Sequence, residues 1–130
     1  MRRKFIILKK STRYNRAIAV DSEVADEIIE FLGRTERYKE KADYMLHRIL
    51  ETPNMYYENY KRIQVLQGMR VTEMRFFPNG DNCRIYCCEV SNLDGNLFVI
   101  MVKLLPKKKD QKITKRIVQI LNTLKTYQYE

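Results

Sequence analysis

Two pairs of alternating polar residues carry side chains suited to cleaving RNA. Glu73 and Arg75 are separated by one residue, and so are Arg84 and Tyr86. Successive side chains of a β-strand point to opposite faces, so each pair is expected on one face of a strand. Arg84 is the first candidate for stabilising transition-state charge, because a guanidinium binds two phosphate oxygens at once. Arg75 is predicted to be a second phosphate clamp. Tyr86 and Glu73 are candidates for proton transfer.

Cleavage without a metal proceeds by attack of the 2′-hydroxyl on the adjacent phosphate. It needs a base, cations around the developing charge and an acid for the leaving oxygen. The only histidine, His47, falls in a predicted helix beside its apolar stripe, so we expect a structural or surface role for it. A structural alternative also stays open for Arg84, which could simply pair with Glu73 or Glu89.

A lysine run follows the last of three predicted strands. Lys107 and Lys108 are candidate phosphate anchors or, if neighbouring cations lower a lysine pKa, candidate bases or acids. As a bare run they indicate electrostatic attraction to RNA. The other basic residues that we expect to bind RNA are Lys103, Lys109, Lys112, Arg13, Arg16, Lys61 and Arg62.

Two tyrosine-containing stretches have alternative interpretations. Arg13, Tyr14 and Arg16 could stack bases and hold phosphates, or form an ordinary connection. The three tyrosines of a second stretch could line a base-stacking ledge, or simply pack against the core. These are Tyr56, Tyr57 and Tyr60.

Charge and composition limit the classes of function. Lysine and arginine outnumber aspartate and glutamate by 25 to 16, a net charge of +9 that favours a polyanionic partner. No segment approaches the roughly 20 apolar residues of a membrane-spanning helix. The basic start has too short an apolar run for a signal peptide, and three cysteines form no disulfide framework, which together predict a soluble cytoplasmic protein.

Neither a metal nor a cofactor is predicted. Cys83, Cys87 and Cys88 lie on one predicted strand, where Cys87 and Cys88 point to opposite faces and cannot chelate together. Glycine is too scarce for a phosphate-binding loop. Buried thiols are the expectation for these cysteines.

The first half of the chain is predicted to contain one strand and a helical hairpin. The apolar run 5–8 favours a strand buried on both faces, followed by a loop or helical lead-in through residue 20. Asp21 and Ser22 are expected to cap the first helix, and Gly33 to end it. Thr35 is expected to cap the second helix, which ends before Thr52-Pro53, so the hairpin spans 21–52.

The second half is predicted to contain a connection over 54–70, a meander of three strands over 71–105 and a helix over 110–125. Turns are expected at Pro78-Asn79-Gly80-Asp81 and Leu93-Asp94-Gly95-Asn96. The strand 97–105 is almost wholly apolar and should be central. Asp110 is expected to cap the closing helix, and residues 126–130 to fray.

The predicted fold is therefore one α+β domain over residues 1–130. Its element order is strand, helix, helix, strand, strand, strand, helix. A small, mainly antiparallel sheet carries the helical hairpin on one face in two layers, and the first strand returns beside the meander.

The order of short motifs resembles the RelE/HigB superfamily of toxin–antitoxin toxins, particularly its phage-derived HigB-like branch. The motifs run Leu66-x-Gly68, Glu73-Met74-Arg75, Arg84-Ile85-Tyr86, then Val102 to Leu105 into Lys107-Lys108-Lys109. The resemblance covers roughly residues 44–120. Where several members carry a tyrosine near the closing segment, this chain has Asp110-Gln111-Lys112-Ile113.

The resemblance implies a RelE-like fold and a ribosome-dependent mRNA endonuclease that needs no cofactor. Arg84 then matches the family's arginine that contacts the scissile phosphate, Arg75 and Glu73 match polar positions on the preceding strand, and Lys107-Lys108 match the basic end of the last strand. The implied partners are the ribosome with its mRNA and a cognate antitoxin with a helix-turn-helix DNA-binding domain, and no membrane. Two alternatives are a toxin of this fold that inhibits a protein target such as DNA gyrase, and a non-toxic nucleic-acid-binding module.

Overall fold

The computed structural model describes residues 2–66, 69–105 and 113–129, and it is an α+β protein. The strands are β1 (Arg2–Arg3), β2 (Phe5–Lys10), β3 (Arg16–Asp21), β4 (Tyr60–Leu66), β5 (Met69–Arg75), β6 (Arg84–Ser91), β7 (Leu97–Leu105) and β8 (Gln128–Tyr129). The helices are α1 (Ala25–Gly33), α2 (Glu36–Glu51) and α3 (Ile113–Leu124).

Six strands form one sheet in the order β2-β3-β7-β6-β5-β4. All neighbours in this sheet are antiparallel except β3 and β7, which run parallel. The four strands β4 to β7 form a meander, because each pairs antiparallel with the next strand in chain order. The short strands β1 and β8 pair with each other outside this sheet.

The two sheet faces are covered by different helices. Alternate residues of β3, β6 and β7, such as Ile18, Cys87 and Met101, pack with buried residues of α1 and α2. The residues between them, such as Cys88, pack with Ile120 and Leu124 of α3. We call the second side the α3 face. The helical hairpin does pack on one face as predicted, but α3 covers the other face, so the two-layer expectation was wrong.

The helical hairpin follows its sequence signals closely. Thr35 caps α2, since its hydroxyl oxygen accepts a hydrogen bond of 3.2 Å from the backbone N–H of Tyr38. Helix α1 ends at Gly33 and α2 ends before Thr52-Pro53, both as predicted. The start of α1 differs, because Val24 occupies its N-cap position and no side chain caps the helix.

Asp21 ends β3 instead of capping a helix. Its buried carboxylate accepts hydrogen bonds from the Arg3 Nε at 2.5 Å and from the Tyr129 hydroxyl at 2.7 Å. The Tyr129 bond holds β8 in place, so the prediction of fraying was wrong for residues 126–129, while residue 130 lies outside the described residues. Arg3, Asp21 and Tyr129 together are the terminal clasp.

The prediction for the first strand was also wrong. Phe5–Lys10 is an edge strand whose aliphatic side chains are exposed, while β3 is the strand buried on both faces. The hydrophobic pattern of residues 9–20 has no clear period, because Ala17 to Val20 are apolar on both faces of a central strand. It is β3 that returns beside the meander, by pairing with β7.

The connection predicted over 54–70 contains β4, which adds a fourth strand to the meander. Strand β7 has the predicted bounds and lies centrally, between β3 and β6. Gly95 adopts a φ of 81° in the turn before it, a conformation that glycine accommodates without steric cost.

No helix within the described ranges combines the length and apolar character needed to cross a membrane.

Candidate functional site

The register of β5 and β6 gathers the four alternating polar residues into one group. Glu73 lies opposite Tyr86, and Arg75 lies opposite Arg84. Directly opposed residues of an antiparallel pair have Cβ atoms about 4.5–5.5 Å apart. All four belong to the α3 face, where Tyr86 packs with the core beneath α3. We call Glu73, Arg75, Arg84 and Tyr86 the Glu73 cluster.

The carboxylate of Glu73 binds both guanidinium groups. Its Oε1 accepts a hydrogen bond of 2.5 Å from the Arg75 Nε and another from the Arg84 Nη1. The Arg84 Nη2 donates to the Oδ1 of Asn82 at 2.9 Å. Asn82 has a φ of 56°, an uncommon backbone conformation that asparagine tolerates better than most residues do. One carboxylate thus fixes two potential phosphate clamps.

The Glu73 cluster is buried at its centre and open at one corner. Glu73 is 2% exposed and Tyr86 is 1% exposed, whereas the Arg75 side chain is 33% exposed. Two buried polar atoms, the Nε of Arg84 and the hydroxyl of Tyr86, have no hydrogen-bond partner among the described residues. A buried donor without a partner costs about 1–3 kcal/mol, so these atoms favour an additional polar ligand.

Burial raises the pKa of Tyr86 far above its usual value, and the nearby negative charge of Glu73 raises it further. Because the phenol is therefore protonated at neutral pH, it can donate a hydrogen bond or a proton. It cannot serve as a base there. Of the two candidates for proton transfer, Tyr86 is therefore suited to donate the proton and Glu73 to accept it.

Two lysines extend the Glu73 cluster across the sheet. Lys61 of β4 lies opposite Glu73, and Lys103 of β7 lies opposite Tyr86. Both lysines are exposed. Across the adjacent strands β4 to β7 the directly opposed residues form a row with a lysine at each end, in the order Lys61, Glu73, Tyr86 and Lys103. The alternation of β4 places Lys61 on the α3 face. Among the predicted RNA-binding residues that the structure describes, Lys61 and Lys103 are the two that it brings to the cluster.

The other described RNA-binding candidates lie elsewhere. The Arg16 guanidinium donates to the carbonyl oxygens of Ile49, Thr52 and Pro53, so it caps the C-terminus of α2. Arg13 is exposed in the loop before β3, in the segment that contains Arg16. Arg62 points away from the α3 face and stacks over the Tyr56 ring at 5.2 Å.

The lysine run lies outside the described residues. This applies to Lys107 and Lys108, which were catalytic candidates, to Lys109 and Lys112, and to Asp110 as a cap. Their roles remain predictions.

The predicted tyrosine ledge is packing material around a buried carboxylate. Tyr56 and Tyr60 stack with ring centroids 5.6 Å apart, and Tyr60 is fully buried. Both hydroxyls donate to Glu89, from Tyr56 at 2.6 Å and from Tyr60 at 2.5 Å. Neither this network nor the role of Asn82 was predicted from the sequence. The alternation of β6 does place Glu89 on the face opposite Tyr86.

The cysteines and the histidine play no part in the Glu73 cluster. Cys87 and Cys88 are buried on opposite sheet faces, as predicted, and His47 is exposed on α2. No group of three metal-binding side chains occurs within residues 2–66, 69–105 and 113–129.

The fold defines the class of the protein at a coarse level: α+β, with a mostly antiparallel six-stranded sheet and three helices in the part of the chain that the structure describes. Comparison with protein-family models, with curated proteins and with solved structures gives no match to this chain.

Proposed function

We propose that the protein is an endoribonuclease toxin of the RelE/HigB type, which cuts mRNA on the ribosome through the Glu73 cluster. One observation carries this proposal. Strand register places a carboxylate, two guanidinium groups and a protonated phenol together, with the Arg84 Nε and the Tyr86 hydroxyl lacking partners among described residues. These are the groups that attack by a 2′-hydroxyl requires.

Each member has a distinct role in the proposed reaction. Glu73 accepts the proton of the 2′-hydroxyl as its oxygen attacks the phosphorus. The guanidinium groups of Arg75 and Arg84 stabilise the charge on the non-bridging oxygens. Tyr86 donates a hydrogen bond or its proton toward the leaving 5′-oxygen. No cofactor takes part.

The surroundings of the cluster determine how RNA would approach it. Arg75 is the most exposed member, so the scissile phosphate enters at this corner. Lys61 and Lys103 hold the flanking phosphates at the two ends of the row. The lysine run 107–109 adds attraction to ribosomal RNA. The proposed partners are the ribosome with its mRNA and an antitoxin whose acidic or amphipathic segment covers this face.

The burial of Arg84 favours a second candidate function. Arg84 is only 8% exposed, and both of its terminal nitrogens already bind protein oxygens, as in a structural ion pair. In that case the ion pair of Arg84 with Glu73 has a structural role on the α3 face and catalyses no reaction. The protein would then be a toxin of this fold that inhibits a protein target such as DNA gyrase, or a non-toxic nucleic-acid-binding module.

A translation-coupled RNA cleavage assay tests the proposal with Arg75→Ala, Tyr86→Phe and Lys61→Ala/Lys103→Ala. We expect the first two to lower cleavage at least 100-fold, within the range of lost acid–base or charge stabilisation. The double lysine variant weakens RNA binding and reduces its salt dependence. Lys39→Ala and Tyr44→Phe, at exposed positions of α2, are the matched controls.

Three outcomes separate the candidate functions. Unchanged cleavage in Arg75→Ala and Tyr86→Phe would reject the site. Toxicity with intact mRNA and induced DNA-damage signalling would support the gyrase-type toxin. Harmless overexpression combined with salt-sensitive RNA binding would support the nucleic-acid-binding module.

A further inference from the structure

Strand β2 presents an exposed apolar edge of the sheet. Its three central residues are all large aliphatics, and Ile6, Ile7 and Leu8 are 48%, 40% and 38% exposed. Within the described residues β2 pairs only with β3, so the outer backbone groups of β2 have no strand partner. Such an edge is a template for an added strand.

The opposite edge of the same sheet is built differently. Strand β4 presents Lys61, Arg62 and Gln64 and, among its residues whose burial the structure describes, one exposed aliphatic residue, Val65. Charged residues and irregular pairing are the usual means of preventing edge-to-edge association. Both edges carry a register irregularity, but β2 also exposes three consecutive aliphatic residues, Ile6, Ile7 and Leu8. The two edges therefore differ in protection, and β2 is the one suited to association.

A pocket beside β2 would receive side chains of an added strand. Its volume is about 250 Å³, and we call it the Ile7 pocket. Its lining is mixed: the apolar and aromatic residues are Ile7, Tyr14, Ala17 and Phe98, and the polar ones include Ser11, Asn15, Arg16 and Asn96. Lys10 borders the same pocket. A cavity of this size accommodates one large apolar side chain, and alternate residues of an added strand point toward the same face.

The charges around β2 restrict the chemistry of the partner. Lys4, Lys9 and Lys10 are exposed at the two ends of the aliphatic stretch. A second copy of the chain would bring these lysines together if its β2 paired antiparallel about Ile7, because Lys4 would then face Lys10. Like charges in directly opposed positions are destabilising, and each copy carries a net charge of +9.

We infer that β2 is the docking edge for an extended segment of another protein, with apolar residues at its centre and acidic residues at its ends. The segment adds a seventh strand beside β2 and places one apolar side chain in the Ile7 pocket. Its carboxylates pair with Lys4, Lys9 and Lys10. This inference is independent of the Glu73 cluster, which lies on β5 and β6.

Selection from a phage-displayed library of random 12-residue peptides on the immobilised full-length chain tests the inference. We expect enriched peptides with alternating apolar residues and acidic ends. The best peptide is then measured by fluorescence anisotropy. Lys9→Glu/Lys10→Glu and Ile6→Thr/Leu8→Thr should each weaken its binding at least tenfold. Lys39→Glu/Lys125→Glu and Val65→Thr are the matched controls and should leave binding unchanged.

Hydrogen exchange locates the bound peptide. Protection of the outward-facing amides of Phe5–Lys10 on peptide addition supports strand addition. Enriched peptides without acidic bias, or binding that leaves these amides unprotected, would overturn the inference. Self-association of the chain that Ile6→Thr/Leu8→Thr abolishes would assign the edge to a second copy instead. Circular dichroism of each variant establishes that it is folded before binding is scored.

Discussion

The Arg84 guanidinium contacts the Glu73 carboxylate across neighbouring strands, in a part of the α3 face where both side chains are buried. The two residues are offset by two positions along the paired strands, since Glu73 lies opposite Tyr86 and Arg84 lies opposite Arg75. Loss of either partner would leave the other charge buried and uncompensated, so the two residues depend on each other whatever chemistry they perform.

Replacing one partner of the pair should destabilise the protein strongly. Glu73→Ala leaves the Arg84 guanidinium buried without its carboxylate, and we expect a loss of about 3–5 kcal/mol in the free energy of unfolding. Urea denaturation followed by circular dichroism measures this loss. The double variant Glu73→Met/Arg84→Met should recover most of the stability, because apolar residues of similar volume replace both charges.

The same variants separate structure from chemistry. A folded Glu73→Met/Arg84→Met protein should retain no RNA cleavage if the Glu73 cluster is catalytic. Full cleavage by that variant would assign the pair to structure alone.

Tyr86→Phe should leave the stability unchanged or raise it by up to about 1 kcal/mol. The hydroxyl that it removes is buried without a hydrogen-bond partner among the described residues, so its loss relieves a desolvation cost. Thermal unfolding measures the change, with Tyr60→Phe as a contrast, since the Tyr60 hydroxyl binds Glu89 and Thr72. A large destabilisation by Tyr86→Phe would show that the hydroxyl has a structural partner.

Tyr129→Phe should weaken the terminal clasp. The lost hydrogen bond to the buried carboxylate of Asp21 is worth about 1.5–3 kcal/mol, as for other bonds to charged groups. The amides of Gln128–Tyr129 should then exchange faster, which hydrogen-exchange mass spectrometry detects. Tyr127→Phe is the matched control, because its ring under the Arg3 guanidinium is retained. Equal exchange in both variants would contradict a role for the Tyr129 hydroxyl.

Stability should fall as the pH drops below about 4. Hydrogen bonds from the Ser11 and Thr12 side chains lower the pKa of Glu51 to about 2, whereas an unfolded glutamate titrates near pH ~4.3. A carboxylate with a lowered folded-state pKa stabilises the protein above its unfolded pKa, and this contribution disappears as the pH falls toward 2. Urea unfolding at pH 6, 4 and 3 measures it. Glu51→Gln should reduce the pH dependence, and Glu40→Gln should not.

The three cysteines should not react with a thiol reagent in the folded protein. Burial raises the pKa of the Cys88 thiol to about 12 and that of Cys87 well above its usual value. Cys87 and Cys88 therefore hold little thiolate at pH 8. Cys83 is shielded from the reagent because it is also buried. Titration with Ellman's reagent should detect no thiol before denaturation and all 3 afterwards. Rapid reaction of the native protein would contradict this packing.

The sequence predicted those elements whose signals are local. The period-2 pattern placed Glu73 with Arg75 on one face of a strand, and Arg84 with Tyr86 on one face of the next strand, because alternation is a local property. Thr35 and Gly33 marked helix ends through their own backbone preferences. These features need no knowledge of distant parts of the chain.

The errors concern properties that distant segments decide. Whether an apolar run is central or at an edge depends on which strands flank it, and Ile6 to Leu8 resembles Ile18 to Val20 in composition. Tyr129 acquires its role only through Asp21, and Lys61 acquires its position only through pairing with β5. Tertiary pairing decided each of these cases.

The parallel pairing of β3 with β7 governs the order in which the molecule can assemble. Arg16 and Leu97 are neighbours across these strands although about eighty residues of chain separate them, so the loop between them must close before β3 is buried. During synthesis β3 therefore has only β2 as a paired strand until β7 has emerged from the ribosome. Truncated chains that stop before β7 should consequently be prone to aggregation and to proteolysis, because they expose the most apolar strand of the first half.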